Sequence, residues 1–220
     1  MLILALDTAT DQGSLAIMAE ERLLGEVSLE SQGAYLTRLL PGLEGLLSTT
    51  GLGLEDLEAI AVSLGPGNFT GLRIGLATAK TLAFALGCPL VGLSTLETLA
   101  AQTPFQSLPI GVLIDAKRQE VYLGLYNCRE AQPQPLGEPV RLPVAVLSQR
   151  LQPPLLLTGP GLAVYGDRLA GTLDPEIHWA PPEMWSLRAP TLARLARLRL
   201  QQGLTVPPQQ LIPNYLRPAL

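Results

Sequence analysis

Residues 63–80 read SLGPGNFTGLRIGLATAK, and the fold turns on how this stretch is read. Ala59–Leu64 ahead of it is a short apolar run, the length of a buried strand. Gly65-Pro66-Gly67 breaks the chain, and the pattern then becomes helical from about Thr70 to Leu86, with Gly87 just past the end and Pro89 as a stop. A strand–turn–helix junction of this kind can cradle a phosphate, because the first N–H groups of a helix point at an anion. It can also seat a helix built for close packing. Gly71, Gly75, Ala79, Ala83 and Gly87 recur every four residues and line one face. Small side chains there let another backbone approach, which offsets the roughly 1 kcal/mol that glycine costs inside a helix. That face meets either the protein's own sheet and first helix or a second molecule. Leu72, Leu76 and Phe84, with Ile74 and Leu82, make the helix apolar nearly all round, so it is covered on more than one side.

Upstream, Leu2–Leu6 reads as a buried strand ending at Asp7, Ser14–Met18 as a second and Leu23–Leu29 as a third, an antiparallel meander. In AYLTRLLPGLEGLLSTT, Leu36, Leu39, Leu40, Leu43, Leu46 and Leu47 follow one helix face, and Pro41 is expected to kink that helix or mark its effective start. Pro89–Leu93 is a further short strand. Ser94, with Glu97 three residues on, predicts a capped helix over Thr95–Ala101.

The chain then starts again. IGVLIDAKRQEVYLGLY, with Asp115 at the end of its first strand, copies LILALDTATDQGSLAIM around Asp7, and Gly159-Pro160-Gly161 copies Gly65-Pro66-Gly67 in the same order. This predicts an internal duplication into two α/β lobes. The boundaries are 1–105 for the N-terminal lobe, with a tail 205–220 packing back on it, and 106–204 for the C-terminal lobe. Residues 132–143 are Pro-rich and read as a loop or edge within the second lobe. APTLARLARLRLQQ is a late amphipathic helix whose arginines form a solvated edge on a core-packed face.

The totals exclude several classes. With 220 residues and 47% hydrophobic residues, the chain can bury a substantial core. A net charge of −4 argues against nucleic-acid binding by this chain alone, since phosphates need a basic face. Cys88 and Cys128 lack motif spacing and are read as reduced, in a cytoplasmic protein. No secretory leader is expected, because Asp7 interrupts the opening apolar run. No uncharged run reaches a membrane span of roughly 18 residues.

The candidate chemistry sits at the strand ends. Asp7 with Thr8, Gly65, Gly67 and Asp115 are the residues with which two like lobes would hold a hydrated magnesium ion and a nucleotide. The alternative is that each aspartate only caps its turn. His178 is the one histidine and stands without a paired His or Cys, so a metal site of paired histidines is excluded. No set of acid, base and nucleophile emerges: catalytic residues and metal ligands are both expected to be none.

ILALDTAT, LEAIAVSLGPGNFTGLRIGLATAKTLAFALGCPLVGLSTLETLA, IDAKRQEVYLGLY and the terminal YLR together resemble the TsaB family, also called YeaZ. The match is dense from Leu2 to about Tyr126 and loose from Asn127 to Pro213. The resemblance implies two duplicated α/β lobes of the actin, sugar kinase and Hsp70 ATPase type. It implies a non-catalytic partner subunit in bacterial tRNA modification, supporting a TsaD-like subunit that transfers threonylcarbamoyl to the adenosine beside the anticodon. A TsaE-like ATPase joins them, the isolated chain forms a homodimer, and tRNA is met only through the complex; no membrane is involved. The Gly-Pro-Gly turn is then a relic of a nucleotide cleft. No cofactor is required, with weak ATP or ADP and magnesium as the alternative. The two helices supply the partner interface through Tyr35, Leu36, Leu39, Leu40, Leu43, Leu72, Gly75, Leu76 and Ala79. Many relatives carry His-Ser-Glu where this chain has Tyr35-Leu36-Thr37. The alternative reading is a weak sugar-kinase-like ATPase or phosphotransferase.

Overall fold

The computed structural model describes residues 1–30, 35–104 and 106–216. The chain divides into two compact units, one of Met1–Thr95 with Leu187–Asn214 and one of Leu96–Ser186 with the chain from Tyr215.

Unit 1 is a five-stranded sheet between helices. Strands β1 (Leu2–Asp7), β2 (Gln12–Ala19) and β3 (Arg22–Glu30) form the expected antiparallel meander, and β4 (Ala59–Ser63) and β5 (Leu90–Leu93) extend it in parallel, in the order β3-β2-β1-β4-β5. Helices α1 (Tyr35–Thr50) and α2 (Phe69–Leu86) cover one face. Leu4, Leu6, Leu15, Ile17, Ile60 and Val62 from the strands meet Leu39, Leu43, Leu46, Leu76 and Ala79 there in one buried cluster. Because side chains alternate across a strand, Ile3 and Ala5 point to the opposite face, where they are equally buried. Helix α5 (Ala189–Gln201) packs there.

Unit 2 repeats this plan. After the short helix α3 (Thr95–Ala100), β6 (Ile110–Asp115) and β7 (Glu120–Asn127) form a hairpin, and β8 (Gln134–Pro135) and β9 (Val140–Pro143) both pair with β7. Strand β10 (Leu155–Thr158) lies parallel to β6, helix α4 (Gly161–Ala170) follows, and β11 (Ile177–Trp179) lies parallel to β10. The order β9-β7-β6-β10-β11 matches β3-β2-β1-β4-β5 strand for strand. The Gly-Pro-Gly turns correspond as well: Gly65 and Gly159 take nearly the same positive φ, 104° and 107°. Leu113, Val121, Leu123, Leu157, Leu162 and Tyr165 form the core of this unit.

Three expectations are corrected. The boundary falls at Thr95/Leu96, and the late helix α5 (Ala189–Gln201) belongs to unit 1, not to a C-terminal lobe reaching 204. The reason is its partners: it packs on β1 and β2, the Ala189 N–H donates to Ser14 Oγ at 2.7 Å, and Arg188 and Arg197 pair with Glu26 and Glu21. Second, Pro41 does not start α1, which begins six residues earlier with Pro41 on its exposed side. Third, α2 begins at Phe69 because Asn68 caps it, its Oδ1 accepting the Gly71 N–H at 2.9 Å. The tail returns to unit 1 as far as Asn214, with Leu211 in its core and the Asn214 N–H donating to the Leu64 carbonyl at 2.6 Å, whereas Tyr215 groups with unit 2. Residues 217–220 lie outside the described residues.

The glycine stripe of α2 faces the protein's own β1–β2 turn. A Cβ at Gly71 would overlap the Thr8 carbonyl oxygen, at Gly67 the Ala9 carbonyl oxygen, and at Gly75 the Thr8 hydroxyl. At Gly71 the obstacle is backbone and cannot swing away. Gly71→Ala is therefore expected to destabilise the fold by about 1–3 kcal/mol or more through overpacking, read as a lower urea midpoint with an unchanged m-value.

Candidate functional site

Two places carry the residues singled out from sequence: the strand ends at Asp7 and Asp115, and the outer side of α1 and α2. Each is described within its own unit.

Asp7 closes β1 and is fully buried. Its Oδ1 accepts the Ser63 hydroxyl from the end of β4 and the Ala9 N–H at 3.1 Å. Its Oδ2 is buried with no hydrogen-bond partner among the described residues, as is the Thr95 hydroxyl oxygen. Burial pushes the Asp7 carboxyl up from the ordinary 3.8 to about 6, against the two hydrogen bonds that favour its charged form. Beside it the Thr8 hydroxyl donates to the Gly71 carbonyl at 2.8 Å, and the Asn68 N–H donates to the Ala9 carbonyl at 2.6 Å. Thr8 and Gly67 are thus spent on the packing of the turn against the strand–helix junction, while Gly65 lies against Leu72 and its carbonyl accepts the Thr95 N–H at 2.9 Å.

Asp115 closes β6 in the second unit. Its Oδ1 accepts the Tyr165 hydroxyl and the Lys117 N–H, each at 2.8 Å, and its Oδ2 faces Lys117 Nζ at 2.9 Å. Burial works to raise its pKa, but the bonds from Lys117 and Tyr165 outweigh that, and it lies below the usual carboxylate range. These donor sets do not fit a hydrated metal ion with nucleotide phosphates. One carboxylate is sealed inside packed chain, and the other already has both oxygens neutralised by its own unit. Each aspartate acts as a structural cap. Among the described residues, no group of three or more His, Cys, Asp and Glu stands where a metal could be held.

The helix residues divide sharply. Tyr35, Leu39, Leu43, Leu72, Gly75, Leu76 and Ala79 are buried by unit 1 itself, which removes them from the proposed interface. Tyr35 illustrates the cause: its hydroxyl donates to the Thr10 carbonyl, and its ring lies against Gly13. Leu36 and Leu40 alone of that set are exposed, at 75% and 56%. Sequence reasoning left two exposed apolar residues of α2 out of the interface set, Phe84 at 87% exposure and Phe69 at 43%, the latter with the Arg73 guanidinium 3.8 Å over its ring. The signal was present, since a helix apolar nearly all round cannot bury every side against one sheet.

This fold has counterparts in solved proteins. YeaZ from Pseudomonas aeruginosa superposes with a TM-score of 0.82 at 29% identity, covering 97% of this chain and 99% of that one. The Haemophilus influenzae tRNA threonylcarbamoyladenosine biosynthesis protein TsaB is 30% identical over 235 residues, 99% of this chain and 94% of its own length. The chain belongs to the TsaB (YeaZ) family. The family model described as TsaD, tRNA N6-adenosine threonylcarbamoyltransferase, matches residues 23–148. Bacillus subtilis TsaB is 38% identical over 127 residues, 58% of this chain; that match spans 56% of the Bacillus protein. The two-lobe fold extends to an ADPNP-bound activator of 2-hydroxyisocaproyl-CoA dehydratase, with a TM-score of 0.53 at 12% identity. It is the α/β fold of the actin, sugar kinase and Hsp70 ATPase type. No helix among the described residues is long and apolar enough to cross a membrane.

Asp7 gives a pH signature. The folded state holds a proton at Asp7 between about pH 4 and 6 that the unfolded chain has released, so stability is full below that window and falls as pH rises through it. The loss amounts to about 2–3 kcal/mol by pH 8. Asp7→Asn should remove this dependence, so urea midpoints of variant and wild type should shift relative to each other between pH 4 and 8, in the variant's favour at the higher pH.

Proposed function

We propose that this chain is a non-catalytic subunit of the bacterial system that installs threonylcarbamoyl on the tRNA adenosine beside the anticodon. It supports and activates a TsaD-like catalytic subunit. The observation that carries this reading is the exposure of Leu36 and Leu40 on α1 and of Phe69 and Phe84 on α2, large apolar side chains left uncovered after the inner faces of both helices are filled. Large apolar side chains left exposed on two neighbouring helices favour a contact site. A two-fold axis lets the same patch serve a second copy in isolation, and a TsaD-like subunit competes for it in the assembly. Family membership favours this assignment, as do the sealed Asp7 and the neutralised Asp115, both engaged in holding their own turns. A TsaE-like ATPase completes the assembly in the cytoplasm. No cofactor is required.

With a net charge of −4, the chain reaches tRNA through its partner. The isolated protein should bind tRNA no more tightly than about micromolar at 150 mM salt, and salt-sensitive binding well below that in a filter assay contradicts the reading.

The interface is tested by Leu36→Glu combined with Leu40→Glu. Both side chains are exposed, so circular dichroism and melting should stay near wild type. Sedimentation should show the homodimer become a monomer, and affinity for the TsaD-like subunit should drop at least about 10-fold, as expected when charge enters the desolvated centre of an interface. A folded variant that remains dimeric and binds the partner normally moves the interface elsewhere.

A further inference from the structure

The turn between β6 and β7 is Lys117-Arg118-Gln119, and all three residues take positive φ, 61°, 54° and 61°. Residues with a Cβ avoid this region, and glycine or asparagine would take it at less cost. Backbone held there persists only where its surroundings over-determine it, and such strain gathers at functional positions.

The clamps are visible. Asp115 accepts the Lys117 N–H and pairs with its ammonium, and Tyr165 holds Asp115 in turn. Arg168 Nη1 donates to Gln119 Oε1 at 2.7 Å, and the Val144 N–H donates to the Gln119 carbonyl at 2.9 Å. The residues on either side of Arg118 are therefore fixed by side chain and backbone. Arg118 itself is exposed and makes no hydrogen bond or ion pair among the described residues. A fixed backbone carries a free guanidinium, which lowers the ordering cost of its next contact.

We infer that Arg118 is a preorganised anion contact whose partner is a carboxylate side chain on the protein with which this chain assembles; this rests on the subunit reading above. A protein carboxylate suits the site better than an RNA strand. Lys117 is paired with Asp115 and Arg141 with Glu120, and Arg168 keeps its charge but is tied to the Gln119 amide, so Arg118 is the one guanidinium fork that the turn itself holds out. A fork matches one carboxylate with two parallel hydrogen bonds, whereas a phosphate backbone needs several positive charges in register.

The test titrates the full chain against the TsaD-like subunit by calorimetry at two salt concentrations. Arg118→Ala should weaken binding about 10-fold and flatten its salt dependence, Arg118→Glu should weaken it further, and Arg118→Lys should restore part of the loss. Arg118→Gly relieves the positive φ, so it should melt at a higher temperature while binding as poorly as the alanine variant. A purely structural role cannot produce that combination. Arg118→Glu binding the partner like wild type overturns the inference. So does a normal complex of that variant which has lost tRNA, since that assigns the contact to phosphate. A wild-type chain that binds no TsaD-like subunit overturns both readings, whereas a complex broken by Leu36→Glu and untouched at Arg118 overturns this one alone.

Discussion

The contact between the Thr8–Ala9 turn and the first turns of α2 organises unit 1. Backbone meets backbone there: Gly67 and Gly71 lie against the Ala9 and Thr8 carbonyls, the Asn68 N–H reaches Ala9, and the Thr8 hydroxyl reaches Gly71. A helix can approach a turn this closely only where it carries no Cβ. The approach sets the height of α2 above the sheet, and with it the depth to which Leu72, Leu76 and Ala79 are buried. It also closes the chain over Asp7. In a nucleotide-binding relative of this architecture the same turn would have to leave room for phosphates; here the room is filled with protein.

Much of the fold was legible because it follows from local chemistry. The strand ending at Asp7, the Gly-Pro-Gly break and the αL residue Gly87 after α2 each follow from a few adjacent residues, and the duplication follows from their order. The site was less legible. Leucines occupy positions 36, 39, 40, 43, 46 and 47 of α1, a stripe wider than one sheet can cover, and residue type alone does not say which of them remain outside. Geometry decides: Leu39, Leu43 and Leu46 fall over β2 and β3, and Leu36 and Leu40 fall beyond them. The glycine stripe announced a close approach without naming the partner, which proved to be the chain itself. Ser63 on Asp7 and Tyr165 on Asp115 are pairings across 56 and 50 residues that no local pattern encodes.

The late helix shows the same limit. Its amphipathic spacing correctly says that one side is buried. Which sheet buries it depends on Ser14, Glu21 and Glu26, more than 160 residues earlier. An edge of arginines that could have suggested nucleic acid is occupied, at Arg188 and Arg197, in fastening α5 to the β2–β3 hairpin.

That fastening bears on how the molecule is made. Unit 1 is discontinuous: its sheet is complete by Leu93, but the helix that covers one face of it lies at 189–201, after nearly the whole of unit 2. A ribosome emits the chain in order, so Ile3 and Ala5 wait uncovered while some ninety further residues are synthesised. The second unit is contiguous over Leu96–Ser186 and can close first. The nascent protein thus carries an open apolar sheet until α5 emerges, and premature termination anywhere before α5 leaves a polypeptide suited to chaperone capture and proteolysis.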